Sequence, residues 1–285
     1  MPRCAFLSMD SIADFYVYDD LLHEPLKHVG WQVETVSWRA TGINWSDYDL
    51  VIIRSPWDYQ QDADAFLHCL ETIESESRLL NDLTTVKWNI SKTYLQDVQE
   101  AGIAIVPTLF PNQLDSDTVN SAFTQFSCDE LVIKPVISAN ADHTYRLTRS
   151  NLTGQLAQYQ NIFQRREFML QPFIRNIMEE GEYSLFYFGE QFSHAIKKVP
   201  KSGDFRVQEE HGGQLFSVIP DAELLCIAQD TLSCIPGKTL YARLDFVRYN
   251  NRYMAMELEL IEPSLYFNLD AESPQRFVHA MLQQC

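Results

Sequence analysis

The sequence predicts an α/β fold that becomes α+β toward the C-terminus. Leu50–Arg54 is a continuous apolar run of the kind that is buried in a parallel sheet. Strand-like and helix-like segments alternate around this run, whereas the chain beyond Gly181 reads as antiparallel hairpins. Its 285 residues are about two domains' worth at ~150 residues per domain.

The first unit, residues 1–90, is predicted to be an α/β domain. The segment Asp62–Glu76 is predicted to be helical because its apolar residues recur at a spacing of three and four. The predicted strands are Cys4–Ser8, Trp31–Trp38, Leu50–Arg54 and Leu79–Asn81, and the other predicted helix is Tyr18–His28.

The second unit, residues 91–175, is predicted to combine strands with helices. Ser91 can cap a helix that ends near Gly102. The predicted strands are Ile103–Thr108, Leu131–Lys134, Tyr145–Thr148 and Phe168–Ile174, and a helix is predicted over Asn151–Phe163.

The third unit, residues 176–285, is predicted to be built on two hairpins, which turn at Gly189-Glu190 and Asn250-Asn251. Their strands are Tyr183–Phe188 with Phe192–Val199, and Tyr241–Val247 with Tyr253–Ile261; helices are predicted over Pro220–Cys234 and Ser273–Gln284.

The charge balance narrows the choice of partners. Lys and Arg total 22 against 39 Asp and Glu, which gives a formal net charge of −17. Such a surface repels nucleic-acid phosphates, so a broad nucleic-acid interface is not expected, and an anionic ligand would need a pocket with locally placed cations. No apolar run approaches the ~20 residues of a membrane span. The six scattered cysteines and the absence of an apolar signal core predict a reduced, cytoplasmic protein.

Two carboxylates near the end of the chain predict a metal site. Glu257 and Glu259 alternate with apolar residues, so they project from one face of a strand. Their mutual repulsion reaches ~4 kcal/mol for close contacts. No Lys or Arg lies between Arg252 and Arg276 to relieve it, whereas Mg²⁺ would. The alternative is a solvated outer face of an edge strand.

Asp245 can join these carboxylates only if the connecting loop has the right length. A two-residue turn at Asn250-Asn251 places Asp245 opposite Met256, on the wrong face of the hairpin. A three-residue loop, Asn250–Arg252, places it opposite Glu257. The predicted metal site therefore requires the odd-numbered loop.

Five cations could hold an anionic ligand beside these acids. Lys134 ends an apolar strand, and Lys92 lies at a helix start. Lys197 and Lys198 close a hairpin strand, and Arg206 lies in a loop that contains Gly212-Gly213. Each alone is compatible with an ordinary solvated side chain, so only a fold that gathers them would give them a common role.

The order of these motifs resembles that of a known superfamily. The series is Lys92, Ile-Lys134-Pro, Leu-Gln171-Pro172-Phe173-Ile174, Glu182, the Lys197-Lys198 strand, the Arg206 loop, Asp245 and Glu257-x-Glu259-x-x-x-Pro263. It resembles the ATP-grasp superfamily, including glutathione synthetase, the ribosomal-protein glutamate ligase and, most closely, the cyclo-ligase group of cycloserine biosynthesis. Ile-Arg54-Ser-Pro-Trp57-Asp58 extends the likeness to that group into the first unit.

The resemblance implies an ATP-grasp fold, in which the parallel-sheet unit precedes two α+β subdomains that grip the nucleotide. The cofactors it implies are ATP and Mg²⁺, with two ions. The implied roles are phosphate binding by Lys92 and Lys134, adenine recognition by the hinge strand Gln171, Pro172, Phe173 and Ile174, ribose contact by Glu182, catalysis by Lys198 and Arg206, and metal ligation by Asp245, Glu257 and Glu259.

One segment departs from the family pattern. The loop that covers the phosphates is usually rich in glycine, but Val136–Thr144 contains none. Ala and Ser do not tolerate the positive φ that glycine allows, and Asp142 is an unfavourable neighbour for phosphate unless it faces away.

The function expected from the resemblance is ATP-dependent ligation of a carboxylate to an amine or related nitrogen nucleophile through an acyl phosphate. Arg54, Trp57 and Asp58 are expected to contact a small amino-acid-like substrate; the alternative is a strand end with a packed Trp. Two other functions stay open: a non-catalytic nucleotide sensor or scaffold, which the glycine-free loop favours, and a small-molecule kinase. No nucleic-acid or membrane partner is expected.

Overall fold

The computed structural model describes residues 1–285 and contains three β-sheets. The first sheet is parallel throughout, as its apolar central run predicts, and every residue of its third strand is buried. Its strand order is β2-β1-β3-β4. The elements of this unit are β1 (Arg3–Ser8), α1 (His23–His28), β2 (Gln32–Ser37), β3 (Leu50–Ser55), α2 (Ala63–Glu76) and β4 (Leu79–Leu80).

Helix α2 lies where the spacing of apolar residues predicts it. Asp62 accepts a hydrogen bond from the Ala65 N–H and caps the helix, and Phe66, Leu70 and Ile73 form its buried face. The predicted helix Tyr18–His28 is instead divided into a 3₁₀ turn, Asp19–Leu22, and α1.

The second sheet is antiparallel with the order β6-β5-β7. Helices pack against it around a core that includes Phe123, Leu131 and Phe168. The elements are α3 (Leu83–Asn89), α4 (Tyr94–Glu100), α5 (Ser116–Gln125), β5 (Glu130–Pro135), β6 (Tyr145–Thr148), α6 (Leu152–Phe163) and β7 (Phe168–Pro172). Helices α3 and α5 are absent from the sequence prediction, although Asp82 and Asp115 cap them.

The predicted strand Ile103–Thr108 is wrong. This segment makes only isolated bridges, Ile105 to Ala255 and Leu109 to Leu170. Pro107 lacks an N–H and therefore interrupts any continuous ladder. The segment instead links the second sheet to the third, because Val106 donates to the Ala255 carbonyl and Leu109 to the Leu170 carbonyl.

The third sheet is antiparallel with the order β10-β9-β8-β11-β12, and it contains both predicted hairpins. Strand β10 and the short helix α7 were not predicted from the sequence. The elements are α7 (Asn176–Glu179), β8 (Glu182–Phe188), β9 (Gln191–Val199), β10 (Gln214–Ser217), α8 (Ala222–Leu232), β11 (Tyr241–Tyr249), β12 (Arg252–Glu259) and α9 (Ser273–Gln283).

The β11–β12 hairpin corrects the predicted loop. Tyr249 pairs with Arg252, so the turn has two residues, Asn250 and Asn251, with φ values of 52° and 61°. A bulge between Asp245 and Phe246 then shifts the register, since Phe246 pairs with Ala255. Asp245 consequently pairs with Glu257, and the required pairing is reached without the odd-numbered loop.

The first and third sheets share a hydrophobic core. Phe6 and Ile52 of the first sheet belong to the same buried cluster as Phe186, Tyr241 and Phe277. No helix of this chain combines the length and apolar character that crossing a bilayer requires. The domain boundaries at residues 90 and 175 stay a prediction.

Candidate active site

All three units contribute side chains to one cavity. Twelve of the predicted site residues line it. They are Trp57, Lys92, Lys134, Gln171, Pro172, Phe173, Ile174, Glu182, Lys198, Arg206, Glu257 and Glu259. The three that do not line it are Arg54, Asp58 and Asp245.

Two lysines hold Glu257 at the wall of this cavity. The Lys92 Nζ lies 3.0 Å from Glu257 Oε1, and the Lys134 Nζ lies 3.7 Å from Glu257 Oε2. Lys92 also donates to the Ser138 carbonyl at 2.7 Å, so the loop after β5 is held to the helix that follows Lys92. Burial opposes ionisation of Glu257, but the two ammonium groups hold its pKa below the ordinary value. Burial lowers the pKa of Lys134.

Lys198 bridges two acids from neighbouring strands of the third sheet. Its Nζ lies 2.5 Å from Glu182 Oε1 and 3.2 Å from Asp245 Oδ2. Burial and the nearby Arg243 oppose its charge, but the two carboxylates raise the pKa of Lys198 above the ordinary value. Burial raises the pKa of Glu182 despite this contact.

Arg243 is a site residue that the sequence interpretation missed. It precedes Asp245 by two residues on β11, so both side chains project from the same face. The guanidinium lies 2.9 Å from Asp245 Oδ2 and also contacts the Glu259 carboxylate. Arg243 lines the cavity, whereas the buried Asp245 does not. The alternation Arg243-x-Asp245 was the signal that could have revealed it.

These contacts form a self-neutralised network. Four buried cations, Lys92, Lys134, Lys198 and Arg243, face four acids, Glu182, Asp245, Glu257 and Glu259. Distant segments therefore supply the cations that the stretch between Arg252 and Arg276 lacks, and these cations relieve part of the repulsion between Glu257 and Glu259. Burial still raises the pKa of Glu259 to about 7, with Asp245 and Glu257 adding to the rise and Arg243 opposing it.

The acids still fit Mg²⁺ in one respect. No group of three metal-ligating side chains is gathered at one point. Glu257 and Glu259 nevertheless present carboxylate oxygens to the cavity, and Mg²⁺ characteristically takes one or two protein carboxylates together with phosphate oxygens and water. The donor set thus suits an ion that arrives with a polyphosphate.

The segment Gln171–Ile174 lies at the end of β7 and reaches the cavity. Gln171 is fixed by a 2.9 Å hydrogen bond from its Nε2 to Thr108 Oγ1, and the Phe173 N–H donates to the Glu130 carbonyl. The Ile174 N–H has no hydrogen-bond partner within the protein. This free donor beside an apolar wall is suited to the edge of a flat heterocycle.

The glycine-free loop does adopt left-handed backbone geometry, contrary to the sequence expectation. The φ values of Asn140, Ala141 and His143 are 52°, 55° and 48°. Such conformations cost roughly 1–3 kcal/mol each in residues other than glycine. Asp142 faces away from the cavity and pairs with Arg166 at 3.2 Å, whereas Ser138 to Ala141 line the cavity.

Arg206 reaches the cavity from a loop between β9 and β10. Asp204 binds its guanidinium at 2.7 Å and holds it in place. Gly213 closes this loop, since a Cβ there would lie 2.0 Å from the Val207 carbonyl oxygen. Only glycine permits this close approach of two backbone segments.

The first unit contributes Trp57 but not its two charged neighbours. The Trp57 Nε1 donates to the Glu262 carbonyl at 2.8 Å. Arg54 is buried in an ion pair with Asp19 at 2.9 Å, and Asp58 accepts hydrogen bonds from Trp38 and Arg39. For Arg54 and Asp58 the geometry favours the alternative interpretation, that of a packed strand end.

Known proteins resemble this chain over nearly its whole length. A family model described as the N-terminal domain of D-cycloserine synthetase DcsG matches residues 4–81. The cycloserine biosynthesis protein DcsG of Streptomyces lavendulae is 27% identical over 287 aligned positions, which cover 92% of each chain. The crystal structure of D-cycloserine synthetase DcsG superposes with a TM-score of 0.88 at 24% identity over 99% of each chain.

More distant structures show the same architecture. A D-alanine–D-alanine ligase from Bacillus anthracis superposes with a TM-score of 0.71 at 10% identity, covering 99% of this chain and 97% of the other. An ATP-grasp RimK domain protein from Sphaerobacter thermophilus gives a TM-score of 0.73 at 13% identity over 98% of each chain. The chain has the ATP-grasp fold. The predicted fold and the resemblance to the cyclo-ligase group are thereby confirmed.

The names of the relatives also bear on the function of a chain with this fold. The solved structures are those of a synthetase and of ligases, which supports an enzyme of the ligase type and does not favour the sensor and kinase alternatives. Use of ATP and Mg²⁺ accords with solved structures of ATP-grasp ligases that contain ATP, or Mg and ADP.

Proposed function

We propose that this ATP-grasp enzyme activates the carboxylate of a small amino-acid-like substrate with ATP and joins it to a nitrogen nucleophile. The observation that carries the proposal is the cavity in which buried cations from four separate segments meet Glu257 and Glu259. Phosphoryl transfer depends mainly on positioning and on cations where charge develops, and this arrangement supplies both.

The contacts of the network support a proposed role for each group. Lys92 and Lys134 would hold the phosphates in place of Glu257, and that carboxylate would then be available to Mg²⁺. Gln171, Pro172, Phe173 and Ile174 form the adenine pocket, with the free Ile174 N–H as donor, and Glu182 lies near the ribose. Glu257 and Glu259 would ligate Mg²⁺, with two ions expected, and Asp245 would contribute through its contacts with Arg243 and Lys198.

The chain's remaining cations serve the transferred group. ATP supplies the phosphoryl group, which passes to the substrate carboxylate as its bond to ADP breaks. Lys198, Arg206 and Arg243 stabilise the charge on that group. The nitrogen lone pair then attacks the acyl carbon, phosphate leaves, and the nitrogen loses a proton. The products are the C–N bond, ADP and phosphate.

The test is ADP release with amino acids and small carboxylates, with hydroxylamine as the nucleophile. An acyl phosphate yields a hydroxamate, which is detected by mass. Glu257→Gln is expected to lower turnover by at least 100-fold, on the scale of ~3 kcal/mol for one transition-state contact. A released phosphorylated substrate would instead indicate a kinase, and nucleotide binding without ADP release a sensor.

We propose that the enzyme acts in the cytoplasm on small molecules. All six cysteines are free thiols, which suits a reducing compartment. Trp57 is the one member of the predicted substrate group that lines the cavity, which supports a proposed substrate site beside it.

A further inference from the structure

An arginine from outside the glycine-free loop Val136–Thr144 bridges two points of that loop. Arg166 lies just before β7, and its Nη1 lies 3.2 Å from Asp142 Oδ2. Its Nη2 donates to the Ile137 carbonyl at 3.0 Å. The residues between these two contacts, 138–141, line the cavity, so Arg166 spans the segment of the loop that faces the nucleotide site.

The bridged segment has a backbone that its sequence does not favour. Asn140 and Ala141 have φ values of 52° and 55°. Asparagine visits this left-handed region at modest cost, but alanine rarely does. A loop with these residues would relax to negative φ if nothing outside it offset the cost. The contacts of Arg166 at either end of the segment are placed to do so.

Other contacts hold the two ends of the loop but not its middle. The Val136 N–H donates to the Glu167 carbonyl, and Lys92 donates to the Ser138 carbonyl. At the far end the His143 Nδ1 lies 2.9 Å from the hydroxyl of Tyr145. Over residues 139–142, Arg166 supplies the only hydrogen bond or ion pair from a side chain outside the loop. The conformation of the middle therefore depends on this one side chain.

The middle of the loop offers donors to an anion. The N–H groups of Ala139, Asn140 and Ala141 have no acceptor within the protein, although all three residues line the cavity. Successive N–H groups in left-handed or turn geometry form a concavity that suits an anion. Asp142 would repel such an anion, but its ion pair with Arg166 compensates the charge. Arg166 thus has two effects that both favour a bound phosphate.

We propose that Arg166 is a positioning residue that holds the glycine-free loop in its left-handed conformation over the phosphates of the nucleotide. The inference rests on the proposed function, since it requires ATP in the cavity, and deepens it by naming what replaces the backbone freedom of glycine in this loop. Arg166 does not line the cavity, so it acts through the loop and not by contact with the nucleotide.

The experiment titrates Mg²⁺ and a non-hydrolysable ATP analogue into the enzyme by calorimetry. Arg166→Met is expected to raise Kd about 10-fold, as for loss of a hydrogen bond together with a partly exposed ion pair. In ADP release, KM for ATP should rise by the same factor while KM for the acid substrate is unchanged. Arg166→Lys should recover part of the loss. Arg165→Met is the matched control and should behave as wild type, because Arg165 is exposed and makes no ion pair.

A second variant separates positioning from simple charge. Asp142→Asn breaks the ion pair but also removes the acid, and it is expected to raise Kd about 3-fold or more, since only the Ile137 contact of Arg166 remains. Unchanged or tighter nucleotide binding in Asp142→Asn would show that Asp142 is only an unfavourable charge, which would overturn the inference. Wild-type affinity in Arg166→Met would overturn it as well.

Glycine should replace the arginine where φ is positive. Adding Ala141→Gly to Arg166→Met is expected to recover at least 3-fold of the lost affinity, because glycine adopts the left-handed region without strain. Ala139→Gly is the matched control: Ala139 also lines the cavity, but its φ is not positive, so no recovery is expected. Equal recovery by both glycines would indicate a general need for flexibility and would overturn the inference.

A measurement without nucleotide tests the loop itself. The Asp142 N–H donates to the Ala139 carbonyl, and the Thr144 N–H donates to the Ala141 carbonyl. Both amides are expected to exchange with solvent about 10-fold faster in Arg166→Met, and unchanged exchange would count against the proposed role. An enzyme that binds nucleotide but releases no ADP would refute the ligase proposal, whereas the binding constants and exchange rates would still decide this inference.

Discussion

Arg243 neutralises two carboxylates at once, and its removal would leave both without the charge of the guanidinium. Asp245 is 3% exposed, and Arg243 supplies one of its two cationic contacts, the other being Lys198. A buried ion pair adds little net stability over an apolar pair, but removing one partner leaves an uncompensated charge. The residues that organise the site are thus also sensitive points for folding.

Replacing Arg243 with Met is expected to lower the free energy of unfolding by about 3–5 kcal/mol, because Asp245 and Glu259 lose their guanidinium. Urea denaturation measures this change. Arg243→Lys keeps the charge and should recover part of the loss. An Arg243→Met variant as stable as wild type would mean that Lys198 alone suffices for Asp245.

His194 is expected to make the free energy of unfolding depend on pH. Its ring stacks on Phe186 with 4.2 Å between centroids, and burial lowers its pKa to about 4. Between pH 6.5 and 4 the unfolded chain therefore binds more protons than the folded chain. This contribution to stability is fully present above pH 6.5 and is lost as the pH falls through that interval, by about 3 kcal/mol.

Unfolding in urea at several pH values measures this slope. His194→Gln is expected to flatten it by about that amount between pH 6.5 and 4, although the variant is less stable throughout. His68 is the matched control, since its side chain is 83% exposed and its replacement should leave the slope unchanged. An unaltered slope in His194→Gln would assign the acid sensitivity to other groups.

At the scale of elements, backbone irregularities set the geometry of the site. The bulge in the β11–β12 hairpin brings Asp245 opposite Glu257, and Gly213 closes the loop that carries Arg206. Neither the bulge nor the loop can be recognised from a periodic pattern of residues in the sequence. The Asn250-Asn251 pair predicted a hairpin correctly, but strict alternation could not reveal an extra residue at Met256.

Gly213→Ala is expected to lower kcat about 10-fold or more, because the added Cβ displaces the Val207 backbone and with it Arg206. The assay is steady-state ADP release, with urea unfolding to verify that the fold is retained. In an Arg206→Ala background the same change should have little further effect. Full additivity of the two variants would mean that the loop acts independently of Arg206.

At the scale of the molecule, Asn81 joins the first unit to the third sheet. Its Nδ2 donates to the carbonyls of Tyr241 and Leu260, and its Oδ1 accepts from the Leu240 N–H. The residue is fully buried. Because of this amide and the core shared by Phe6 and Phe277, we expect the units to unfold together.

Asn81→Leu is expected to destabilise the protein by about 2–5 kcal/mol, because it leaves three buried backbone groups without their partner. Asn120→Leu, at an exposed helical position, should have little effect. Denaturation followed by both tryptophan fluorescence and circular dichroism measures the loss. Two separate transitions in wild type would contradict the cooperative link between the units.

Sequence reasoning captured features that depend on local pattern. The apolar run of β3, the spacing of α2 and the turn residues of both hairpins gave the correct elements. It could not foresee contacts between residues that are distant in sequence. The ion pair of Arg54 with Asp19 is visible only in the fold. Lys92 and Lys134 lie far from Glu257 in sequence, so the neutralisation of that acid could not be foreseen.

The salt-linked arrangement around Glu257 bears on the order in which ligands assemble. A free divalent ion must compete with two ammonium groups for that carboxylate, and a free polyphosphate must draw those ammonium groups away from it. The polyphosphate frees the carboxylate that the divalent ion needs, and the ion frees the ammonium groups that the polyphosphate needs. We therefore expect the enzyme to bind the ion or the nucleotide weakly alone and to bind their complex more tightly. Each ligand should raise the affinity for the other by the same factor.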